Sequence, residues 1–230
     1  MASLGVISQT GNNIQTDGLV FYMDPAYKIS YPGTGTTVTD IMSLNVSASF
    51  MNDTSFDSSN NGIFDFDGTD DYMTTNINAN DYQTAFTVLF WVNFDFFQNG
   101  NIAIGRHTGN ERFYFGVQDS TYMKAGIGDD YTYDSIAHGV STGEWSNFCY
   151  TRSGTTNTLY INTVQKGTFT SNWSGTNTTQ VYIGALNIES QSGAFQDLNG
   201  KLGPVQIYNR ALSVGDVLQN YNAQKGRFGL

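Results

Sequence analysis

Short runs in which apolar and polar residues alternate, separated by clusters of turn formers, are the feature that most limits what this chain can fold into. A period of two puts every second side chain on one face of a strand, so such runs build half-buried sheets and not amphipathic helices. The clearest covers residues 86–93, where Phe86, Val88, Phe90 and Val92 share a face. Residues 112–117 repeat it with Phe113, Phe115 and Val117, and residues 147–152 set Phe148 and Tyr150 opposite Cys149 and Thr151. Further strands are expected over residues 19–23, 63–66, 71–75, 102–104, 122–127, 159–162, 164–169, 181–183 and 205–208. Many short strands with regular turn signals predict an all-β fold of two stacked antiparallel sheets, a jelly-roll sandwich.

One helix is predicted, short and C-terminal. Ser213 is a suitable N-cap with Asp216 three residues on, Val214, Val217, Leu218 and Tyr221 follow at helical spacing, and Gly226 lies beyond. Residues 24–61 hold more turn formers than periodic apolar positions and read as a long irregular stretch. Residues 1–16 read as an N-terminal arm and residues 17–230 as one sandwich domain.

Composition removes several classes of function. Charged residues are 13% of the 230, and the formal net charge of −10 with ten Lys and Arg argues against a phosphate-binding surface, so no nucleic-acid partner is expected. No run approaches the roughly eighteen apolar residues of a membrane span, and residues 1–11 carry no basic, apolar leader, so neither membrane insertion nor a signal peptide is expected. Cys149 is the single cysteine and reads as a buried thiol. The Asn-x-Ser/Thr sites at Asn45, Asn52, Asn172 and Asn177 read as ordinary surface loops.

Several segments in order resemble the laminin-G-like branch of the concanavalin A-like lectin and glucanase superfamily. They are Gly18-Leu19-Val20-Phe21-Tyr22-Met23-Asp24, Phe64-Asp65-Phe66-Asp67-Gly68-Thr69-Asp70-Asp71-Tyr72, Phe86-Thr87-Val88-Leu89-Phe90-Trp91-Val92, Leu159-Tyr160-Ile161-Asn162, and the stretch from Gly200 to Ser213. The resemblance implies the concanavalin A-like jelly roll, a shape used for carbohydrate binding, adhesion and, in one branch, hydrolysis. Residues 218–230 resemble the C-terminus of laminin-G-like proteins of tailed phages, especially those of marine cyanobacteria. Two departures stand out. Asn162-Thr163 replaces the family's frequent Asn-Gly, which opens the alternative of a longer loop through Gly167, and Leu202-Gly203-Pro204 replaces an acidic residue that ligates calcium in the family.

The glucanase branch hydrolyses with Glu-x-Asp-x-Glu on one strand face, two carboxyl groups about 5 Å apart. Here Glu111, Glu144 and Glu189 are scattered, so no catalytic residue is expected and the protein is read as non-enzymatic. His107 and His138 have no metal-ligand spacing and read as loop residues. Asp65, Asp67, Asp70 and Asp71 group hard oxygen donors about a turn, a candidate calcium site whose alternative is plain turn chemistry at Asp67-Gly68. Asp129, Tyr131, Tyr133 and Asp134 join acids able to accept sugar hydroxyls to rings able to stack on a sugar, a candidate ligand site. Trp173, among turn residues, is either a stacking platform in that site or an anchor folded on the core, whereas Trp91 and Trp145 read as core.

The expected function is a phage virion accessory protein, made in the host cytoplasm and carried on the outer surface of the capsid or tail. Its expected partners are other virion proteins and host-surface glycans, with self-association open. The rival is a free, calcium-dependent carbohydrate-binding lectin, and a glycoside hydrolase comes third.

Overall fold

Strands form where the alternating runs predict them, and most outgrow the run that marks them. The computed structural model describes residues 13–42, 47–109, 111–132, 135–175, 180–188 and 194–230. In chain order the strands are β1 (Leu19–Met23), β2 (Thr37–Thr39), β3 (Ser47–Met51), β4 (Ser55–Asp57), β5 (Ile63–Asp67), β6 (Tyr72–Thr75), β7 (Ala85–Phe94), β8 (Asn101–Thr108) and β9 (Glu111–Val117). They continue as β10 (Met123–Gly128), β11 (Asp130–Thr132), β12 (Trp145–Ser153), β13 (Thr156–Ile161), β14 (Val164–Thr170), β15 (Tyr182–Ile183), β16 (Leu186–Ile188), β17 (Ala194–Phe195) and β18 (Asn199–Tyr208). One helix, α1 (Val214–Gln224), follows.

Two sheets result. The first runs β14-β13-β12-β7-β18-β5-β4 with β1 also paired to β18, and the second runs β11-β10-β9-β8-β15-β6-β3-β2 with β16 paired to β8 and β17 paired to β16. Their facing sides form the interior, where Phe86, Val88, Phe90, Val92, Phe148 and Tyr150 meet Phe113, Phe115, Val117, Ala125 and Ile127. Ring centroids lie 5.4 Å apart for Phe86 and Phe113 and 4.9 Å for Phe115 and Tyr150, and aromatic burial of this kind dominates a core's energetics. The Tyr150 hydroxyl donates to the Gly116 carbonyl at 3.1 Å, which satisfies its buried polar tip.

The outer face of the first sheet is equally apolar, with Leu89, Trp91, Cys149 and Tyr208 all fully buried. Helix α1 and the tail cover it. Ser213 and Asp216 form a complete capping box, as the spacing predicts, and the helix packs Val217 and Ala223 inward. Trp91 donates from Nε1 to Gln224 at 2.9 Å and stacks on Phe228 at 4.4 Å. A 3₁₀ turn over Lys225–Phe228 contains Gly226, so the left-handed residue that ends the helical run is Gly229 at φ 78°. Burial pushes the Cys149 thiol well above its ordinary range, which makes it inert. Ahead of β1, Ile14 is buried against the same helix, and the Gln15 amide donates to Asn220 at 2.7 Å.

Two expectations need correction. Residues 24–61 are not uniformly irregular, since β2, β3 and β4 lie within them; each is too short and too rich in Ser, Thr and Asp to show a period. The last strand starts at Asn199, not at residue 205, and runs through Gly203-Pro204 by means of a β-bulge between Leu202 and Val205. At the bulge the strand's second neighbour changes from β5, which ends its pairing at Leu202, to β1, which starts at Val205, so the proline's missing N–H costs no ladder bond. Of the two readings of the β13–β14 hairpin, the structure takes the tight one, a two-residue turn with Ile161 opposite Val164 and no longer loop through Gly167.

That turn puts Asn162 at φ 48° and Thr163 at φ 70°. Asparagine tolerates the left-handed region, but a β-branched residue there is strained by about 1 kcal/mol or more. Thr163→Gly is therefore expected to stabilise the fold by about 1 kcal/mol, less the entropy glycine adds to the unfolded chain. Thermal unfolding should show a rise of about 2 °C for a chain of this size, and a fall would show the threonine to be unstrained.

Candidate functional site

The β10–β11 turn forms the first candidate site. Gly128 has φ +64°, and a Cβ there would lie 2.0 Å from the Asn172 carbonyl oxygen, so only glycine lets this turn close against the segment after β14. Asp129 then locks the contact from both sides: its amide donates to the Asn172 carbonyl at 2.9 Å, and its Oδ1 accepts from the Asn172 amide at 2.8 Å. Arg112 adds a donor to the Asp129 carbonyl at 2.9 Å and lays its guanidinium 4.8 Å from the Tyr131 ring centre.

Behind this wall sits Arg152, only 2% exposed. It donates to Ser171 Oγ at 2.8 Å, the Ser171 carbonyl at 3.2 Å, Asn157 Oδ1 at 3.0 Å and the Gln83 carbonyl at 2.6 Å. In front lies a cleft of about 580 Å³ lined by Asp129, Asp130, Thr155, Thr170, Ser171 and Asn172. Carboxylates, hydroxyls and an amide around one opening match the alternating donors and acceptors of a sugar. Tyr131, 42% exposed, is outside this lining: it pairs with Gly126 on the other face of β11 from Asp130 and lies against Arg112. A second cleft of about 360 Å³ shares Asp129 and has Trp173, Glu111 and Thr108 in its wall.

Of the predicted ligand residues, the structure brings Asp129 and Trp173 to these clefts and leaves Tyr131 on the outer face of β11 against Arg112, while Tyr133 and Asp134 lie outside the described residues. Trp173 is folded back: its ring lies 6.0 Å from Phe113 and 6.0 Å from the Arg106 guanidinium, and it packs on the core. Sequence reading missed Thr155, Thr170, Ser171 and Asn172, which carry no pattern of their own. It also missed Arg152, although a signal existed, because Arg152 continues the inward alternation of Phe148 and Tyr150.

The β5–β6 turn forms the second. Gly68 takes φ +76°, the Thr69 amide donates to Asp67 Oδ1 at 2.7 Å, and the Asp67 amide donates to Asp71 Oδ2 at 3.0 Å. Carboxylate oxygens of Asp67, Asp70 and Asp71 lie within 4.8 Å of one another. Asp65 does not join them: it sits opposite Lys201 in the ladder, on a strand position two residues from the turn, and burial raises its carboxyl despite that lysine. The sequence cluster of four is thus a triad plus one strand residue. Asp71 is 2% exposed and its Oδ1 has no hydrogen-bond partner. Asp197, which sequence reading missed, is 8% exposed with an equally unpartnered Oδ1. Burial first, and then the charges of Asp70, Asp67 and Asp71, push Asp197 up to about 6. Its link to the turn arises from the pairing of Asn199 with Asp67, which no local pattern announces.

The histidines are structural. His138 lies in a loop but is fully buried, where Nδ1 accepts from the Val140 amide at 3.0 Å, so Nε2 carries the proton and donates to the Asp119 carbonyl at 3.0 Å. His107, expected in a loop, is in β8 opposite Arg112, because β8 runs beyond its apolar run to Thr108. Burial lowers the basicity of both rings. Glu111 opens β9 at 3.6 Å from Arg106, Glu144 precedes β12, and Glu189 lies outside the described residues.

A family model described as the concanavalin A-like lectin/glucanases superfamily, of laminin-G type, matches residues 67–218. Among solved structures, a Trypanosoma rangeli sialidase in complex with sialic acid superposes with a TM-score of 0.69 at 16% identity, covering 94% of this chain and 35% of that one. The chain thus spans about a third of the sialidase's length. Domain 4 of AbnA, a GH43 extracellular arabinanase from Geobacillus stearothermophilus, in complex with arabinotriose, superposes with a TM-score of 0.65 at 11% identity, covering 91% of this chain and 100% of that one. Botulinum neurotoxin type C, whose cell entry depends on interaction with two ganglioside molecules, gives 0.67 at 14% identity, covering 90% of this chain and 51% of that one. No curated protein sequence matches the chain. At these identities the likeness is one of fold.

The raised carboxyl of Asp197 sets a pH dependence. A carboxyl whose folded value, about 6, exceeds its unfolded value near 4 binds its proton more tightly when folded. Its contribution is present in full below about pH 4 and lost as pH rises through 6. In metal-free buffer, stability is therefore expected to fall by on the order of 1–2 kcal/mol between pH 4.5 and 7. Asp197→Asn should flatten that slope in thermal melts, and an unchanged slope would place its cause elsewhere. Asp216, which Arg210 and Gln15 hold below the carboxylate range against its burial, acts with opposite sign and only at lower pH.

Proposed function

Because this chain belongs to the concanavalin A-like lectin/glucanases superfamily, we propose that it is a non-enzymatic attachment module that holds a glycan in the cleft between Asp129 and Asn172. The observation that carries this reading is the concentration of hydroxyl, amide and carboxylate groups around one open cleft. Hydroxyl-bearing ligands are recognised by such mixed donors and acceptors. Solved relatives of the same fold in complex with arabinotriose, or acting through ganglioside molecules, support a glycan as the ligand class.

We further place the protein on the outer surface of a phage capsid or tail, as an accessory protein bound to other virion proteins and engaging host-surface glycans. The likeness of residues 218–230 to phage laminin-G-like proteins supports this placement. Calcium is the cofactor that belongs to this reading, at Asp67, Asp70 and Asp71, whose hard oxygens suit it. A free calcium-dependent lectin is the second reading, favoured by the same cleft and triad.

A glycan array with purified protein is expected to show selective binding, and Thr170→Val and Asp130→Asn are each expected to weaken it about three- to tenfold with an unchanged melting temperature. Equal binding by both variants would remove the cleft as the site, and a blank array would remove the glycan. Release of free sugar from bound glycan would overturn the non-enzymatic reading. Mass spectrometry of purified virions decides placement, and absence from the particle leaves the free lectin.

A further inference from the structure

The acidic turn holds more buried negative charge than its three adjacent carboxylates account for. Asp71 and Asp197 are 2% and 8% exposed, and each keeps one oxygen without a hydrogen-bond partner. A buried ionised carboxylate with an unsatisfied oxygen is costly, and four acids in one neighbourhood repel as well. Among the described residues the nearby cation, Lys201, spends its ammonium on both oxygens of Asp95 at 2.8 Å. The backbone nevertheless holds the two halves together with care. Gln98 donates from one amide to the Gly68 carbonyl at 3.1 Å and the Asp197 carbonyl at 2.7 Å, and Asn199 donates to the Asp67 carbonyl at 3.0 Å. The Leu198 amide is fixed to the Gly184 carbonyl at 2.7 Å. A scaffold that spends three hydrogen bonds on holding like charges together is built for a cation.

We propose that Asp197 is the fourth carboxylate of the cation site, contributed by the segment before β18 to the triad of the β5–β6 turn. The proposal rests on reading Asp67, Asp70 and Asp71 as a calcium site and adds to it a residue far away in sequence. Calcium fits better than magnesium because it takes six to eight oxygens in adaptable geometry, some through water, whereas magnesium demands a near-ideal octahedron. Asp197 lies outside the 4.8 Å circle of the triad, so it serves as an outer ligand or a counter-charge across a water. Bound calcium then ties the β5–β6 turn to the start of the last strand.

The test uses the full chain stripped with chelator, titrated calorimetrically with calcium chloride and melted with and without it. Wild type is expected to bind and to gain about 5–10 °C at a hundredfold excess over Kd. Asp197→Asn is expected to lose calcium affinity at least tenfold while melting, without calcium, at or above the wild-type temperature, because it removes an unpaired buried charge. Asp65→Asn is expected to bind like wild type. If Asp197→Asn does not fold, Asp197→Ser carries the same comparison. Wild-type affinity in the Asp197 variant would overturn the fourth ligand and leave the triad standing. No heat and no thermal shift in wild type would overturn both, and an equal response to magnesium chloride would overturn calcium as the cation.

Discussion

The antiparallel ladder between β7 and β18 is the constraint on which the rest of the structure depends. Both strands are ten residues long and stand in the middle of the first sheet, and β7 is buried on both faces: Phe86, Val88, Phe90 and Val92 toward the second sheet, Leu89 and Trp91 toward the helix. A strand apolar on both faces has to be covered twice, which explains why a two-sheet protein also carries a C-terminal helix. It also explains the bulge. An extra residue in β18 lets one continuous strand serve β5 along its first half and β1 along its second, so the chain's start and its acidic turn are both registered against the same element.

The tail completes this arrangement by electrostatics as well as packing. Arg227 follows α1 and meets Asp24 at 2.6 Å, while its other guanidinium nitrogens donate to the carbonyls of Asn60 and Gly62. Asp24 is 2% exposed and also accepts from the Tyr22 hydroxyl at 2.9 Å, so the ion pair is screened from water by its neighbours. Removing either partner leaves a buried charge, which costs far more than the pair itself contributes. The single Asp24–Arg227 contact therefore ties together β1, the segment before β5 and the last residues of the chain.

Much of this was legible in the sequence, and the limits of legibility are physical. Runs whose core-facing positions carry the large apolar side chains in step show their period of two, so β7, β9 and β12 were readable although all three are buried on both faces, and the capping box at Ser213 announced α1 because capping is a local interaction. The strands β2, β3 and β4 were not, because three to five residues with mixed Ser, Thr and Asp have no measurable period and exist only through their pairing, β2 with β3, β3 with β6 and β4 with β5. Pro204 concealed the length of β18, since a proline argues against a central strand until the bulge is known. The same division runs through the candidate sites. Asp67, Asp70 and Asp71 are neighbours in the chain and were legible; Asp197 and the Thr155–Asn172 wall are neighbours only in the fold.

Strand direction separates the two candidate sites. β8 begins at Asn101, whose side chain accepts from the Asn199 amide beside the acidic turn, and ends at Thr108, which lines the second cleft beside Asp129. Eight residues at about 3.3 Å each put roughly 23 Å between those ends. A cation at the acidic turn therefore cannot touch a ligand held at the Asp129 rim, and no charge effect of consequence crosses more than two Debye lengths at physiological salt. The two are coupled only through the stability of the sandwich. Calcium removal should then act on ligand binding through unfolding alone, leaving affinity intact wherever the metal-free protein is still folded. In a lectin that ligates sugar through its metal, by contrast, chelation abolishes binding at every temperature. The distance thus separates the two proposed sites from metal-bridged recognition: in the proposed reading, a cation at the acidic end holds the fold and the Asp129 end holds the ligand.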